Sequence, residues 1–203
     1  MPGKRAVLFD LGGVLIDWNP RHLYRSLFAR EADMERFLAE VCDARWNWEI
    51  DAGKPFLEAV RERQLRFPQQ AELIGYWWSR WPEMLAGEIP GTVALLERLK
   101  VLGVPLYALT NWSLETFAMT RERFPFLAWF ERIVVSGEEG MAKPDPRFFR
   151  LAIERCALDP ERTLFIDDNP ENVAAAREQG LDAVRFTAAA PLARTLAERG
   201  LLD

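Results

Sequence analysis

Asp10, Thr110, Lys143 and the pair Asp167-Asp168 are the side chains of this sequence whose types and placement could do chemistry together. Asp10 follows the apolar run Val7-Leu8-Phe9, Thr110 follows Tyr107-Ala108-Leu109, and Asp167-Asp168 follow Leu164-Phe165-Ile166. A lone Asp after such a run is an ordinary turn or helix-capping residue. A set of them at strand ends carries more weight, because ligands of doubly wound sheets bind at the carboxyl ends of the strands, near the switch point. If the first run is central, with the second and fourth as its neighbours, these residues converge. Carboxylates crowded into one crevice repel one another unless a cation joins them, and hard oxygen donors select Mg²⁺. Lys143, within Gly140-Met141-Ala142-Lys143-Pro144, adds a fixed positive charge to the set.

The elements that must position these residues can be read from periodicity. Ala6–Phe9, Pro105–Leu109, Arg132–Val135, Leu164–Ile166 and Ala183–Phe186 are short apolar runs without alternation, as in parallel strands buried on both faces. Helical patterns lie between them. Pro90-Gly91 opens one containing Val93, Leu95, Leu96 and Leu99, which Gly103 stops; another follows Asp145-Pro146, and a third runs from Pro170 to Gly180. This alternation predicts an α/β fold with a doubly wound parallel sheet and right-handed crossovers. Residues 18–88 break the alternation. Their apolar residues recur at helical spacing: Leu23, Leu27 and Phe28; Phe37, Leu38 and Val41; Phe56, Val60 and Leu65; Ile74, Trp77, Trp78 and Trp81. The pattern predicts a small α-helical cap at 18–88, inserted after the first strand of an α/β core formed by 1–17 and 89–203. Six of the eight tryptophans lie in the insertion, where they are expected to form a bundle core.

Composition narrows the range of partners. A chain of 203 residues with 28% charged residues is an ordinary globular size and balance. Its net charge of −5 argues against nucleic acid, whose phosphates select basic faces. Lys4 and Arg5 precede an apolar run that Asp10 breaks too early for a secretory signal, and no stretch approaches a membrane span. Cys42 and Cys156 lack metal or redox spacing and read as buried thiols, so a cytoplasmic protein is expected.

Four segments together resemble the haloacid dehalogenase (HAD) superfamily, in the order that family requires and over essentially the whole chain. Phe9-Asp10-Leu11-Gly12-Gly13-Val14-Leu15 is similar to its first motif and Leu109-Thr110-Asn111 to its second. Lys143-Pro144-Asp145-Pro146 is similar to the third and Phe165-Ile166-Asp167-Asp168-Asn169 to the fourth. The helical insertion resembles that family's cap of the first type. Asp10-Leu11-Gly12, the Asp167-Asp168-Asn169 triplet and the short cap bring the chain nearest to the branch of bacterial glucose-1-phosphate phosphatases and the N-terminal domain of soluble epoxide hydrolase. The resemblance implies a Mg²⁺-dependent phosphatase of a small phosphate monoester, with a sugar phosphate as the default. Asp10 would be the nucleophile and form an aspartyl-phosphate. Asp10, the Gly12 carbonyl, Asp167 and Asp168 would hold the metal. Thr110 and the Asn111 amide would bind phosphoryl oxygens, and Lys143 would offset the carboxylate charge.

One position departs from that pattern. The family's phosphatases usually carry a second Asp two residues after the nucleophile as general acid and base, and Gly12 stands there. A backbone carbonyl ligand survives this change and a proton donor does not. Proton-transfer help is typically worth ~10²–10⁴ in rate, so either turnover is poor or another group substitutes. Asp17 is one candidate, although a hinge or helix-start role suits it better. His22 is given no catalytic role. Glu49 and Asp51 would either face the crevice from the cap or, together with Gly53, shape a turn between cap helices. Trp112 would wall the pocket or pack beneath the cap. Two rival functions stand beside the phosphatase. A 2-haloacid dehalogenase also lacks the second acid, but it needs no metal and carries uncharged residues where Asp167-Asp168 stand. A catalytically weak binding protein would have no need of Asp10 and Lys143.

Overall fold

The computed structural model describes residues 5–203; Lys4 and the three residues before it lie outside the described residues. Seven strands occur among the described residues: β1 (Ala6–Phe9), β2 (Ile16–Trp18), β3 (Leu85–Glu88), β4 (Leu106–Thr110), β5 (Arg132–Val135), β6 (Thr163–Asp167) and β7 (Asp182–Arg185). Five of them make one sheet in the order β5-β4-β1-β6-β7, with every pairing parallel. The doubly wound α/β sheet expected from the apolar runs is present, with β1 at its centre. The chain runs outward from β1 to β4 and β5 and then crosses back to β6 and β7 on the other side, so the carboxyl end of β1 lies at the switch point. Register does the rest of the positioning. Phe9 is level with Ala108 and with Ile166, so the chain leaves β1 at Asp10 beside Asp167 and one residue below Thr110.

The helices are α1 (Pro20–Tyr24), α2 (Glu31–Glu40), α3 (Ala44–Asp51), α4 (Phe56–Arg66), α5 (Ala71–Ser79), α6 (Pro90–Val101), α7 (Leu114–Thr120), α8 (Ser136–Glu139), α9 (Pro146–Arg155), α10 (Pro170–Glu178) and α11 (Ala189–Glu198). The starts of α9 and α10 obey the residues that mark them. Asp145 and Asn169 cap them through side-chain oxygens that accept from Arg147 N–H and Glu171 N–H, with Pro146 and Pro170 at the first helical positions. In α6 the residues Val93, Leu95, Leu96 and Leu99 are buried as their spacing predicts.

Two expectations for the insertion need correction. Its helices are entered and left through an antiparallel ribbon, β2 with β3, which no strand-like run announces. The strands span three and four residues, and Asp17 and Gly87 interrupt their apolar pattern. Leu65 is 83% exposed and does not join the apolar stripe of α4. That face is formed by Phe56, Ala59 and Val60, and one turn further on by Arg63, whose guanidinium lies 5.2 Å from the Trp46 ring centroid. Arg63 follows Val60 by three residues and stays on the face, whereas Leu65 follows by five and is carried off it. The tryptophans divide between two duties. Trp46 and Trp77 pack edge to face, with centroids 5.3 Å apart, inside the helical layer. Trp18 and Trp81 line a crevice facing the sheet. Cys42 and Cys156 are buried free thiols. Among the described residues no helix is long and apolar enough to cross a membrane.

Candidate active site

Lys143 organises the carboxyl end of β1. Its side chain is 1% exposed, and its ammonium lies 2.9 Å from Asp10 Oδ1 and 2.7 Å from Asp167 Oδ2. Burial pulls this lysine down, but Asp10 and Asp167 outweigh it and hold the group above its ordinary value. Asp167 is completely buried. Its Oδ1 accepts from Asn169 N–H at 2.8 Å, and Asn172 Nδ2 donates to both of its oxygens at 3.1 Å. Together with Lys143 these donors engage both oxygens of the carboxylate. Asp168 differs: it is exposed to the crevice, and no side-chain hydrogen bond holds its carboxylate among the described residues.

Asp10, Asp167 and Asp168 each offer an oxygen within 4.8 Å of the others. Burial pushes the Asp10 carboxyl up to about 7, against the pull of Lys143 and with repulsion from Asp167 and Asp168 adding to it. Asp168 is raised as well, by burial and then by Asp167. One ammonium therefore faces three carboxylates, and with all three ionised the surplus of two negative charges would be balanced by one divalent cation. The donor atoms are all oxygens, as Mg²⁺ requires. The backbone keeps this space open. Gly13 has φ +74°, and a Cβ there would stand 2.7 Å from Asp168 Oδ2. At Gly12, by contrast, a Cβ would meet nothing within 4 Å.

Thr110 ends β4, and its hydroxyl oxygen is buried without a hydrogen-bond partner among the described residues. Asn111 is placed otherwise than a pure phosphate ligand. Its side chain accepts from Lys143 N–H at 2.8 Å and donates to Lys143 C=O at 2.9 Å, so it clamps the backbone that presents the lysine. Trp112 walls the crevice and also packs on Trp81, with ring centroids 5.7 Å apart.

The end of α3 is fastened to this floor. Trp48 Nε1 donates to Lys143 C=O at 2.8 Å, and Ser136 Oγ donates to the Asp51 carbonyl at 2.5 Å. Gly53, at φ +102°, lets the turn after α3 approach Gly140: a Cβ at Gly53 would lie 3.2 Å from Gly140 Cα. Asp51 therefore shares a crevice with Asp10, Gly12, Asn111 and Asp168. Asp17 is turned elsewhere. Its Oδ1 lies 3.0 Å from His22 Nε2, its side chain is 48% exposed, and it does not line that crevice. Glu49 is absent from the lining too. Sequence reasoning did not find Asn172, which grips Asp167. The available signal was its position on the first turns of the helix that follows the acidic pair, pointing back to the strand end.

Comparison with known proteins agrees with this architecture. The haloacid dehalogenase-like hydrolase family matches residues 4–180. A sesquiterpene phosphatase of Aspergillus oryzae is 27% identical over 186 residues, covering 90% of each chain. A phosphoglycolate phosphatase of Shigella boydii is 27% identical over 206 residues, covering 90% of this chain and 81% of its own. A HAD family enzyme from Bacteroides thetaiotaomicron, solved with magnesium and inorganic phosphate, superposes with a TM-score of 0.67 at 24% identity over 92% of this chain and 96% of its own. That likeness speaks for the fold. The chain belongs to the haloacid dehalogenase-like hydrolases.

Proposed function

We propose that this hydrolase is a Mg²⁺-dependent phosphatase that cleaves a small phosphate monoester through an aspartyl-phosphate on Asp10. The carrying observation is the gathering of Asp10, Asp167 and Asp168 within 4.8 Å around one buried ammonium at the switch point of the sheet. Phosphatases among the curated relatives support the same reading. Asp10, the Gly12 carbonyl and Asp168 would hold the ion. Asp167 belongs to the same acidic set and serves mainly to seat Lys143, since its oxygens already carry hydrogen bonds. When bound, the ion neutralises charge on the transferring phosphoryl group. The remaining work falls to the chain itself. The Asp10 oxygen attacks phosphorus, while Lys143 keeps that carboxylate ionised and aimed. Thr110 Oγ1 and the Asn111 main-chain amide bind phosphoryl oxygens, and Asn111 also fixes the loop that carries Lys143.

Residues 1–17 and 89–203 would form the core and 18–88 the helical cap, with the leaving alcohol held between them. The alcove there is walled by Trp18, Trp81 and Trp112 with Asn47, Asp51 and Asn111. This suits a small phosphorylated metabolite, a sugar phosphate included, and neither nucleic acid nor a membrane. The free carboxylate of Asp168 favours phosphoryl transfer over a metal-free dehalogenase. Hydrolysis of an aryl phosphate is expected to need Mg²⁺ and to vanish in Asp10→Asn. Full activity in EDTA, or halide release from a 2-haloacid in the absence of metal, would refute the reading.

A further inference from the structure

We propose that Asp51, carried to the core by the end of α3, moves the proton that a side chain at position 12 cannot. This rests on the phosphatase reading of Asp10. Gly12 leaves open space where its side chain would begin, and Asp51 lines the same alcove. The wider crevice places Asp51 together with Asp10 and Asp168. An acid fixed on the cap would be of little use if it drifted relative to the nucleophile, and Asp51 is tied to the core twice. The Ser113 main-chain N–H donates to its carboxylate, and Ser136 Oγ donates to its carbonyl at 2.5 Å. Asn47 Nδ2, one turn earlier on α3, donates to Asp51 Oδ2 at 2.8 Å, and Asn47 Oδ1 is itself held by Trp77 Nε1 at 3.3 Å.

The charged groups that act on Asp51 are Asp10 and Lys143. Burial pushes its carboxyl up to about 7, with the Asp10 charge adding and the hydrogen bonds from Ser113 and Asn47 and the charge of Lys143 opposing. Both protonation states are therefore available near neutral pH, as a group that alternately gives and takes a proton needs. The alternatives are worse placed, Asp17 being tied to His22 and Glu49 lying outside the crevice.

In the first step the bond from Asp10 to phosphorus forms as the bond to the leaving alcohol breaks. Protonated Asp51 gives its proton to that alcohol oxygen and becomes a carboxylate. In the second step a water oxygen attacks phosphorus and its proton passes to the Asp51 carboxylate. The Asp10–phosphorus bond breaks, and phosphate, free Asp10 and protonated Asp51 result. The sum is monoester plus water giving alcohol plus phosphate.

The test uses 4-nitrophenyl phosphate, whose leaving group needs no proton, and glycerol 2-phosphate, whose leaving group does. In Asp51→Asn, single-turnover nitrophenolate release is expected to stay near the wild-type rate while steady-state turnover falls by ~10²–10⁴. A burst approaching one equivalent per site then appears, with the aspartyl-phosphate trapped on acid quench. Glycerol 2-phosphate is expected to lose turnover without a burst, and the neutral-pH limb of the wild-type kcat profile to disappear. Mg²⁺ affinity and melting temperature, measured on the same variant, are expected to stay near wild type. Gly12→Asp added to Asp51→Asn is expected to restore turnover at least ~10-fold, which a merely structural role of Asp51 would not allow. Wild-type turnover in Asp51→Asn, or a loss without a burst that Gly12→Asp leaves unrelieved, would overturn the assignment. Absence of any Asp10-linked phosphate in wild type and variants alike would overturn the phosphatase reading along with it.

Discussion

Replacing Lys143 by methionine is the sharpest test of how this site is held together. The ammonium touches Asp10 at 2.9 Å and Asp167 at 2.7 Å with its side chain 1% exposed, so water cannot take its place. Methionine keeps the length of the chain and removes the charge, leaving two buried carboxylates facing each other. Breaking a buried ion pair from one side typically costs ~3–5 kcal/mol. For a chain of this size a change of 1 kcal/mol moves the melting temperature by ~2–4 °C, so Lys143→Met is expected to melt lower by ~6–20 °C in EDTA at pH 8. The deficit has a definite pH dependence. The stranded carboxyls titrate higher in the folded chain than in the unfolded one, Asp10 being pushed up to about 7 even with Lys143 present. The folded state therefore gains protons first, and the deficit shrinks as the pH falls from 8 to 5. Adding Asp167→Asn removes one of the opposed charges and is expected to recover roughly half of the lost stability. Thermal and urea melts of the single and double variants at both pH values measure this. A Lys143→Met protein within ~1 kcal/mol of wild type at pH 8 would show that the ammonium is not what holds Asp10 and Asp167 together.

Four further outcomes follow from backbone and surface features. Gly13→Ala places a Cβ 2.7 Å from Asp168 Oδ2 at φ +74°, a strain of ~1–2 kcal/mol that should weaken Mg²⁺ binding roughly tenfold in a calorimetric titration. Gly12→Ala should leave that affinity unchanged, because nothing lies within 4 Å of its Cβ. Gly53→Ala, at φ +102° and 3.2 Å from Gly140 Cα, should loosen the end of α3, seen as faster amide exchange across residues 44–56. Arg199 first, through its hydrogen bond, and then Arg5 hold the Asp182 carboxyl below the usual carboxylate range. Its stabilisation is present above the ordinary value near ~3.9 and is lost as the pH falls through the lower folded value. With its side chain 26% exposed, Asp182→Asn should cost ~1 kcal/mol or less at pH 7 and nothing once the carboxyl is protonated, as acid-range melts would show.

What the sequence determined by itself was the sheet and the identity of the residues at its carboxyl end. Buried parallel strands need unbroken apolar runs, and Ala6–Phe9 is such a run, while edge strand β5 keeps one only after its exposed Arg132. The residues that end them, Asp10, Thr110 and Asp167-Asp168, stand beside strand ends wherever the strands pair, so parallel pairing gathers them. The missing acid at Gly12 was legible only through the family resemblance. Its replacement was not. Asp17 is the nearer acid along the chain, yet β2 turns it toward His22, while Asp51 arrives from a helix fastened by Ser136, 85 residues away. The clamp of Asn111 on the Lys143 backbone, 32 residues apart, escaped for the same reason. So did the exchange of Leu65 for Arg63 on the face of α4, where Trp46 supplies the partner. Periodicity and residue type report what a segment tends to do within a few turns of itself. Which side chain fills the space above a nucleophile depends on how segments distant along the chain pack, and only tertiary structure records that.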